Sequence, residues 1–384
     1  MFKRIVALGL AAALLAACSR APDHVVFHAK DNPARLSEWG LFKVGGKTLA
    51  TTDRVVVYDL ATPLFSDYAQ KLRTVWLPEG ATATYDETNT FDFPVGTVIS
   101  KTFYYPTSGT DRPGDSKVVD KTTAQTRQSG AKGLDLKNVR LVETRILVRR
   151  ENGWEALPYV WNADQTDAVL ARAGESIAMT FADGARKTDF VYQVPNVNQC
   201  GGCHVQDFKT RKFEPIGLKA RHLNHSFDGP QGEMNQLTRL QIVNYLKGAP
   251  APDRAPRNAV WNDTREPLEA RARAYLDANC SHCHSATGAA RTTGLWLRAG
   301  ELDPRQLGAC KPPVAAGKGT GGHTFDIVPG DPDASIMPFR LASRNAGEMM
   351  PEAGRSLVHG EGLALIREWI ANMDGVCQVT GESL

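Results

Sequence analysis

The 384-residue chain carries none of the short signatures that announce common enzyme chemistries. There is no G-x-S-x-G, no phosphate-binding glycine loop, no H-E-x-x-H and no internal repeat, which removes the readiest routes to a hydrolase elbow, a nucleotide site, a zinc protease or a solenoid. An excess of one charge is missing as well. Lys+Arg number 45 against 42 Asp+Glu, so nothing in the balance marks a nucleic-acid binder. No apolar run reaches the about 20 residues that span a bilayer as a helix. Cysteine is scarce, at seven, so a dense disulfide framework cannot be what holds a chain of this length together. With 42% hydrophobic and 23% charged residues the composition is that of a globular protein of about two or three domains.

The first segment reads as an address. Met1-Phe2-Lys3-Arg4 is positive, Ile5 to Ala17 is apolar, and the run ends in Leu15-Ala16-Ala17-Cys18. This ending resembles the lipobox of bacterial lipoproteins. The resemblance implies a signal peptide over 1–18, diacylglycerol on the Cys18 thiol, and, with Ser19 next, an outer-membrane anchor facing the periplasm of a Gram-negative bacterium. An ordinary signal peptide with a chance cysteine is the alternative.

Four of the remaining cysteines fall into two copies of C-x-x-C-H: Cys200-Gly201-Gly202-Cys203-His204 and Cys280-Ser281-His282-Cys283-His284. Two intervening residues put both sulfurs and the following imidazole on one side of a single tight turn. That arrangement suits two thioethers to one haem, with His204 or His284 meeting the iron from the proximal side. A thioredoxin-like site would need a βαβ setting and no His, and a zinc site built from the two pairs would leave both histidines unexplained. The expected cofactors are therefore two haem c groups, in an exported chain.

Around the second motif, Leu268, Ala272, Tyr275 and Leu276 follow Pro267 at helical spacing and run into Cys280. Leu363, Ile366, Ile370 and Met373 make another stripe on a closing helix that carries Trp369, and Met349-Met350-Pro351 lies between. Asp333 to Arg344 reads as a helix of its own. This frame resembles a class I cytochrome c domain over about residues 257 to 377. The resemblance implies His284 as proximal ligand and Met350 as distal ligand, with Met349 as rival. The first motif follows an extended segment, Val194 to Asn198; the chain after it is basic and irregular until Glu233, and Leu237, Leu240, Val243 and Leu246 then recur at helical spacing. Met234, then His225 and His222, are its candidate distal ligands; a five-coordinate iron is the alternative. Cys310 and Cys377 are left over, and in an oxidising compartment a disulfide between them is the simplest account, two free thiols the alternative.

From about Val25 to Pro195 the period changes to two. Val142, Thr144, Ile146 and Val148 alternate before Asn152-Gly153; Ile177, Met179 and Phe181 alternate before Asp183-Gly184, and Phe190, Tyr192 and Val194 alternate after it. Val55 to Tyr58 and Val98 to Tyr104 add strands, and Thr107 to Gly133 reads as a long polar loop. The aromatics of Trp154 to Asn162 suit either a binding face for a sugar or partner, or a core. Glu143, Asp164 and Asp167 have no inferable pairing as acid and base.

Several segments together resemble a family of bacterial dihaem c-type cytochromes: Tyr58-Asp59-Leu60-Ala61-Thr62-Pro63-Leu64-Phe65-Ser66-Asp67-Tyr68-Ala69, Phe93 to Val98, Leu157 to Asn162, Asn235-Gln236-Leu237, Tyr275 to Cys280 and Met350-Pro351. The resemblance implies haem binding and electron transfer between redox partner proteins, with no substrate of its own. The expected architecture is an N-terminal all-β antiparallel sandwich or barrel-like domain (19–195), a first haem segment packed on it (196–256), and a C-terminal all-α class I cytochrome c-like domain (257–384). The runner-up functions are a peroxidase-like dihaem enzyme, the electron-accepting subunit of a periplasmic dehydrogenase, and a sugar- or partner-binding β domain.

Overall fold

In the computed structural model, which describes residues 21–45, 47–108, 113–122, 133–229, 232–314 and 317–378, strands dominate. The chain begins with a hairpin, β1 (Phe42–Gly45) and β2 (Thr48–Thr51), and continues through β3 (Val56–Tyr58), β4 (Gln70–Trp76), β5 (Ala83–Thr84) and β6 (Val98–Pro106). Two short strands follow, β7 (Val118–Asp120) and β8 (Leu134–Asp135). Then come β9 (Val139–Arg150), β10 (Gly153–Trp161), β11 (Ala168–Leu170), β12 (Glu175–Asp183) and β13 (Arg186–Val194). Beyond these lie α1 (Gly201–His204), α2 (Ala220–Leu223), the hairpin β14 (Ser226–Gly229) and β15 (Gly232–Asn235), α3 (Gln236–Ile242) and β16 (Leu246–Lys247). The last helices are α4 (Leu268–Asn279), α5 (Ile336–Ala342) and α6 (Gly360–Ala371).

The largest sheet has six strands in the order β11-β10-β9-β6-β4-β3, all antiparallel to their neighbours. Its period of two sorts the side chains onto two faces. One face carries Leu72, Val98, Ile146, Val148, Leu157 and Tyr159 into a core closed by Trp39, Leu41 and Leu49. Hydroxyls that fall on this buried face pair across strands: Thr74 with Ser100 at 2.6 Å and Thr102 with Thr144 at 2.8 Å. The other face is divided. Val75 and Ile99 pack with Leu218, Leu223, Leu237 and Leu240 from the α2–α3 region. Phe103 and Val142 pack with Met179, Phe181, Phe190 and Tyr192 from the β12–β13 hairpin, whose turn places Gly184 at φ +58°. Between these two apolar patches the same face carries Arg73, Lys101 and Arg145.

The segment 59–69 straps the strand-rich half to the rest. Thr62 Oγ1 donates to the Ala259 carbonyl at 2.8 Å, and Phe65 N donates to Asn279 Oδ1 at 2.7 Å. The Asp67 carboxylate accepts from the backbone N–H groups of Ser356 and Leu357 at 2.6–2.9 Å. Tyr68 OH donates to Glu361 Oε2 at 2.7 Å. Asp67 and Tyr68 sit at φ +51° and +62°, a left-handed turn that aims both side chains at the start of α6.

This architecture overturns the expected one. Among the described residues no barrel closes: the edge strands β3 and β11 are three residues long and remain apart at the two ends of the sheet. The pairing is not purely antiparallel either, because β7 joins β12 and β16 joins β5 in parallel. The C-terminal part is not an all-α class I cytochrome c-like domain. Strand makes up 29% of the structure and helix 18%, and the six α-helices among the described residues are small. Between α4 and α5 the described chain runs in turns, isolated bridges and two short 3-10 helices, Arg291–Thr293 and Gly317–Thr320. Pro304, Pro312, Pro313, Pro329 and Pro332, with glycines in between, stop helix propagation there. The pattern up to Leu246 is likewise divided into β15, α3 and β16: α3 starts at Asn235, whose side chain accepts from Leu237 N, and ends before Asn244, which turns left-handed at φ +58°. The polar stretch 107–133 includes β7; residues 109–112 and 123–132 lie outside the described residues.

His359, at the N-cap of α6, is stacked on Phe65 at 4.3 Å, and its Nδ1 meets Tyr275 OH at 3.0 Å. Burial pushes its imidazole down to about 4; Glu361 opposes this, while Lys71 and Lys121 reinforce it. The native state thus keeps a neutral imidazole that the unfolded chain protonates below about 6.5. Stability is complete above that pH and falls as pH drops from about 6.5 to 4. Urea unfolding of the full chain across this range should show a shallower acid loss in H359Q than in the wild type, by up to about 3 kcal/mol.

Candidate functional site

The two C-x-x-C-H motifs form the same turn. In the first, Cys203 N and His204 N donate to the Cys200 carbonyl at 3.3 and 3.0 Å; in the second, Cys283 N and His284 N donate to the Cys280 carbonyl at 3.1 and 2.8 Å. In each case the chain then returns to the histidine. Glu214 N donates to the His204 carbonyl at 2.8 Å, and Leu297 N donates to that of His284 at 2.9 Å. The His204 ring is further fixed by Nδ1, which donates to the Glu214 carbonyl at 2.8 Å, and by stacking with Phe213. A proton held on Nδ1 leaves the Nε2 lone pair free, the tautomer that an iron ligand requires. His284 Nδ1 is buried without a hydrogen bond.

The turns abut. Cys283 Sγ lies 3.5 Å from the Gly202 carbonyl, Phe208 N donates to the Thr287 carbonyl at 2.8 Å, and Thr287 Oγ1 donates to the Gln206 carbonyl at 3.0 Å. Behind them stands Asp277, one helical turn before Cys280. Its carboxylate takes Arg221 through two bonds of 2.7 and 3.0 Å, Asn258 Nδ2 at 2.8 Å and Ser281 Oγ at 3.0 Å. Burial alone would push the Asp277 carboxyl up, but His222 and Arg221, with the hydrogen bonds from Arg221 and Asn258, hold it below the ordinary carboxylate range. Asp277 thereby ties the segment that follows the first turn to the helix that leads into the second.

The four motif cysteines are unpaired with one another. Burial pushes the Cys280 and Cys283 thiols up to about 12, and raises those of Cys200 and Cys203 against the opposing charge of Arg145. Disulfide-exchange cysteines have lowered values, so the thioredoxin alternative does not suit these thiols. A zinc site needs four converging donors, and among the described residues no three His, Cys, Asp or Glu side chains converge on a metal position. Haem asks less of the chain: two thiols, one imidazole and a turn that presents them together. Both motifs meet that requirement. Burial lowers His204 to about 3 and His284 to about 4, so both imidazoles are neutral, as ligands must be.

The other expected positions fare differently. Met350 lies in a loop fixed at both ends, since its N donates to the Arg340 carbonyl at 3.0 Å and its carbonyl accepts from Arg355 at 2.9 and 3.1 Å. The charge of Arg340 also reaches His284. Met234 faces Phe227 across the β14–β15 hairpin, away from any hydrogen bond with the first turn. His225 spends its ring on the Ser226 carbonyl and Gln236, and His222 lies between Asn258 at 3.5 Å and Asp277 at 3.6 Å. Cys310 and Cys377 are joined in a disulfide that ties the loop after Leu307 to the chain beyond α6. Trp161 and Tyr159 are core residues bonded to Thr144 and Trp39, and Glu143 is buried against Arg145 and Tyr192. Cys18 lies outside the described residues; among those described, no helix is long and apolar enough to cross a membrane.

Sequence reasoning missed Asp277, Arg221 and His282. His282, inside the second motif, is buried with Nδ1 unpartnered; burial lowers its imidazole to about 4, and Lys219, His284 and Lys101 add to the effect. The only signal for it was an imidazole between the two cysteines. No protein-family model, curated protein or solved structure matches the chain.

Replacing Asp277 by Asn should leave Arg221 buried against a neutral partner and cost about 3–5 kcal/mol in denaturant unfolding. A loss below about 1 kcal/mol would mean that Asp277 does not hold the two turns together.

Proposed function

We propose that this chain is a dihaem c-type cytochrome that passes single electrons between redox partner proteins on the periplasmic side of a Gram-negative outer membrane. In this reading Cys200 and Cys203 carry one haem c and Cys280 and Cys283 the other, with His204 and His284 as proximal ligands and a lipid anchor on Cys18. The observation that carries it is the abutment of two identical C-x-x-C-H turns, with Cys283 Sγ 3.5 Å from the Gly202 carbonyl. Bound at these turns, haem would supply an iron centre that holds or releases one electron.

The chain's own residues then have defined tasks. Glu214 keeps the His204 proton on Nδ1, and so keeps Nε2 available. The apolar cluster of Leu276, Leu295, Leu297, Ile327 and Met337, against which Cys280 packs, excludes water from the second turn. Arg340 and Arg355 hold the Met350 loop, which we propose as the source of the second distal donor. Asp277, Gln206 and Thr287 keep the two turns in contact, and a short separation is what single-electron exchange between them needs. The near-neutral charge balance suits partners met without strong electrostatic steering.

A second reading is favoured by one observation. The ring nitrogens of His222 and His225 are engaged elsewhere. With those two histidines withdrawn and Met234 in its hairpin, the first iron would have an open or readily displaced position, as a peroxidase-like enzyme or the electron-accepting subunit of a dehydrogenase requires. Rapid carbon monoxide binding by one haem of the reduced protein would favour it; two unreactive haems would favour the carrier.

Pyridine haemochrome and intact mass of protein from a host with a working haem-attachment pathway should give two haems per chain, and one in the C200A/C203A double variant. One or none in the wild type would overturn the proposal. Labelled palmitate should enter the wild type and fail to enter C18A, and labelling of C18A would remove the anchor.

A further inference from the structure

The charged row on the large sheet has no task in the reading above. Arg73, Lys101 and Arg145 stand directly opposite one another on β4, β6 and β9. One pair along, on the same face, Lys71 stands opposite Phe103 and Phe103 opposite Glu143. Like charges set opposite in a sheet repel, and here Arg73 is buried while Lys71, Lys101 and Arg145 are half-buried, so screening by water is incomplete. Two carboxylates pair with its arginines. Asp59 takes Arg73 at 2.7 Å, and Glu143 takes Arg145 at 2.5 and 2.9 Å. Neither lysine has a carboxylate partner among the described residues: Lys71 Nζ donates to the Ala69 carbonyl at 3.1 Å, and Lys101 Nζ lies 5.1 Å over the Phe103 ring. Asp67 lies within electrostatic reach of Lys71, so four basic side chains face three carboxylates, and neither lysine is ion-paired among the described residues.

The row looks onto the first C-x-x-C-H turn, because the charges of Lys101 and Arg145 act on Cys200, Cys203 and His204 alike. Burial, with Arg145 and Arg73 beside it, presses the Lys101 ammonium down to about 7, and burial lowers Lys71 in the same direction. Apolar residues of the same sizes would fill this face without repulsion, so the cations make physical sense as half of a pair whose other half is anionic.

We infer that Lys71 and Lys101, framed by Arg73 and Arg145, form an anion site that binds a pair of carboxylate or oxyanion oxygens against the Cys200–His204 turn. The oxygens have two available sources. One is the two carboxylates of the macrocycle attached at Cys200 and Cys203, and this source rests on the dihaem reading. The other is a small free oxyanion of the phosphate or sulfate class, and it does not.

The test uses the mature holoprotein, its haem count measured first, and the variants K101M, K71M and K101R. With an anion in the row, K101M and K71M lower the thermal midpoint and K101R keeps it. If the macrocycle supplies the oxygens, K101M also lowers the midpoint potential of one haem, shifting its Fe(III)/Fe(II) ratio about tenfold, 59 mV for one electron. Added phosphate then changes nothing. If the oxyanion is free, phosphate lowers that potential saturably in the wild type, or raises the thermal midpoint if no haem is attached, and K101M abolishes the response. The inference is overturned if K101M and K71M are as stable as the wild type or more so, with potentials unmoved and no response to phosphate. Two attached haems with that result would leave the dihaem reading standing; a wild type without haem would end that reading while the phosphate titration still decided the site.

Discussion

One buried carboxylate sets where the two C-x-x-C-H turns lie. Asp277 sits on the helix that delivers Cys280, and it holds Arg221 and Asn258 from the segment that follows the first turn. Each partner alone would be expensive to bury, and together they satisfy one another. The contacts of Thr287 with Gln206 and Phe208 complete the clamp. Remove this constraint and nothing in the local sequence of either motif would bring them within contact, since each turn is built entirely from its own backbone hydrogen bonds.

The sheet and the strap serve that junction. The strap 59–69 crosses from the sheet to α4 and α6 through Asp67, Tyr68, Thr62 and Phe65, so the strand-rich half becomes a wall of the site instead of a separate body. The face of the wall is not neutral. Apolar clusters occupy its two ends, and cations occupy the middle, opposite the first turn. The two turns have different surroundings: the first lies beside Lys101 and Arg145 of this wall, whereas the second is lined by Leu276, Leu297 and Ile327, with the charge of Arg340 reaching His284. Two iron centres held at the two turns would therefore differ in how readily each accepts an electron.

Much of the local order was legible. The alternation over β9 and β12–β13, the stripes of α4 and α6, and the two C-x-x-C-H turns can be read from spacing, because each depends on neighbours within a few residues. The assembly could not be read that way. The apolar stripes on α4 and α6 say only that each helix has a buried face; they carry no information about the turn-rich chain between them, and so the all-α domain expected there is absent. The pattern from Leu237 to Leu246 keeps helical spacing, yet α3 ends before Asn244, which turns left-handed. The candidate site was half visible. Thiols and proximal imidazoles announce themselves by type and spacing. Asp277, Arg221, Lys101 and Arg145 do not, because their meaning comes from cross-strand register and from contacts between segments far apart in sequence.

In the proposed reading the two abutting turns would hold two haems side by side. Electron paramagnetic resonance of the fully oxidised holoprotein, compared with the form in which one haem is reduced, tests it most directly. Adjacent ferric centres broaden each other's signals, and the broadening disappears when one partner becomes ferrous. Two sharp signals that ignore each other's oxidation state would place the centres far apart and contradict the account.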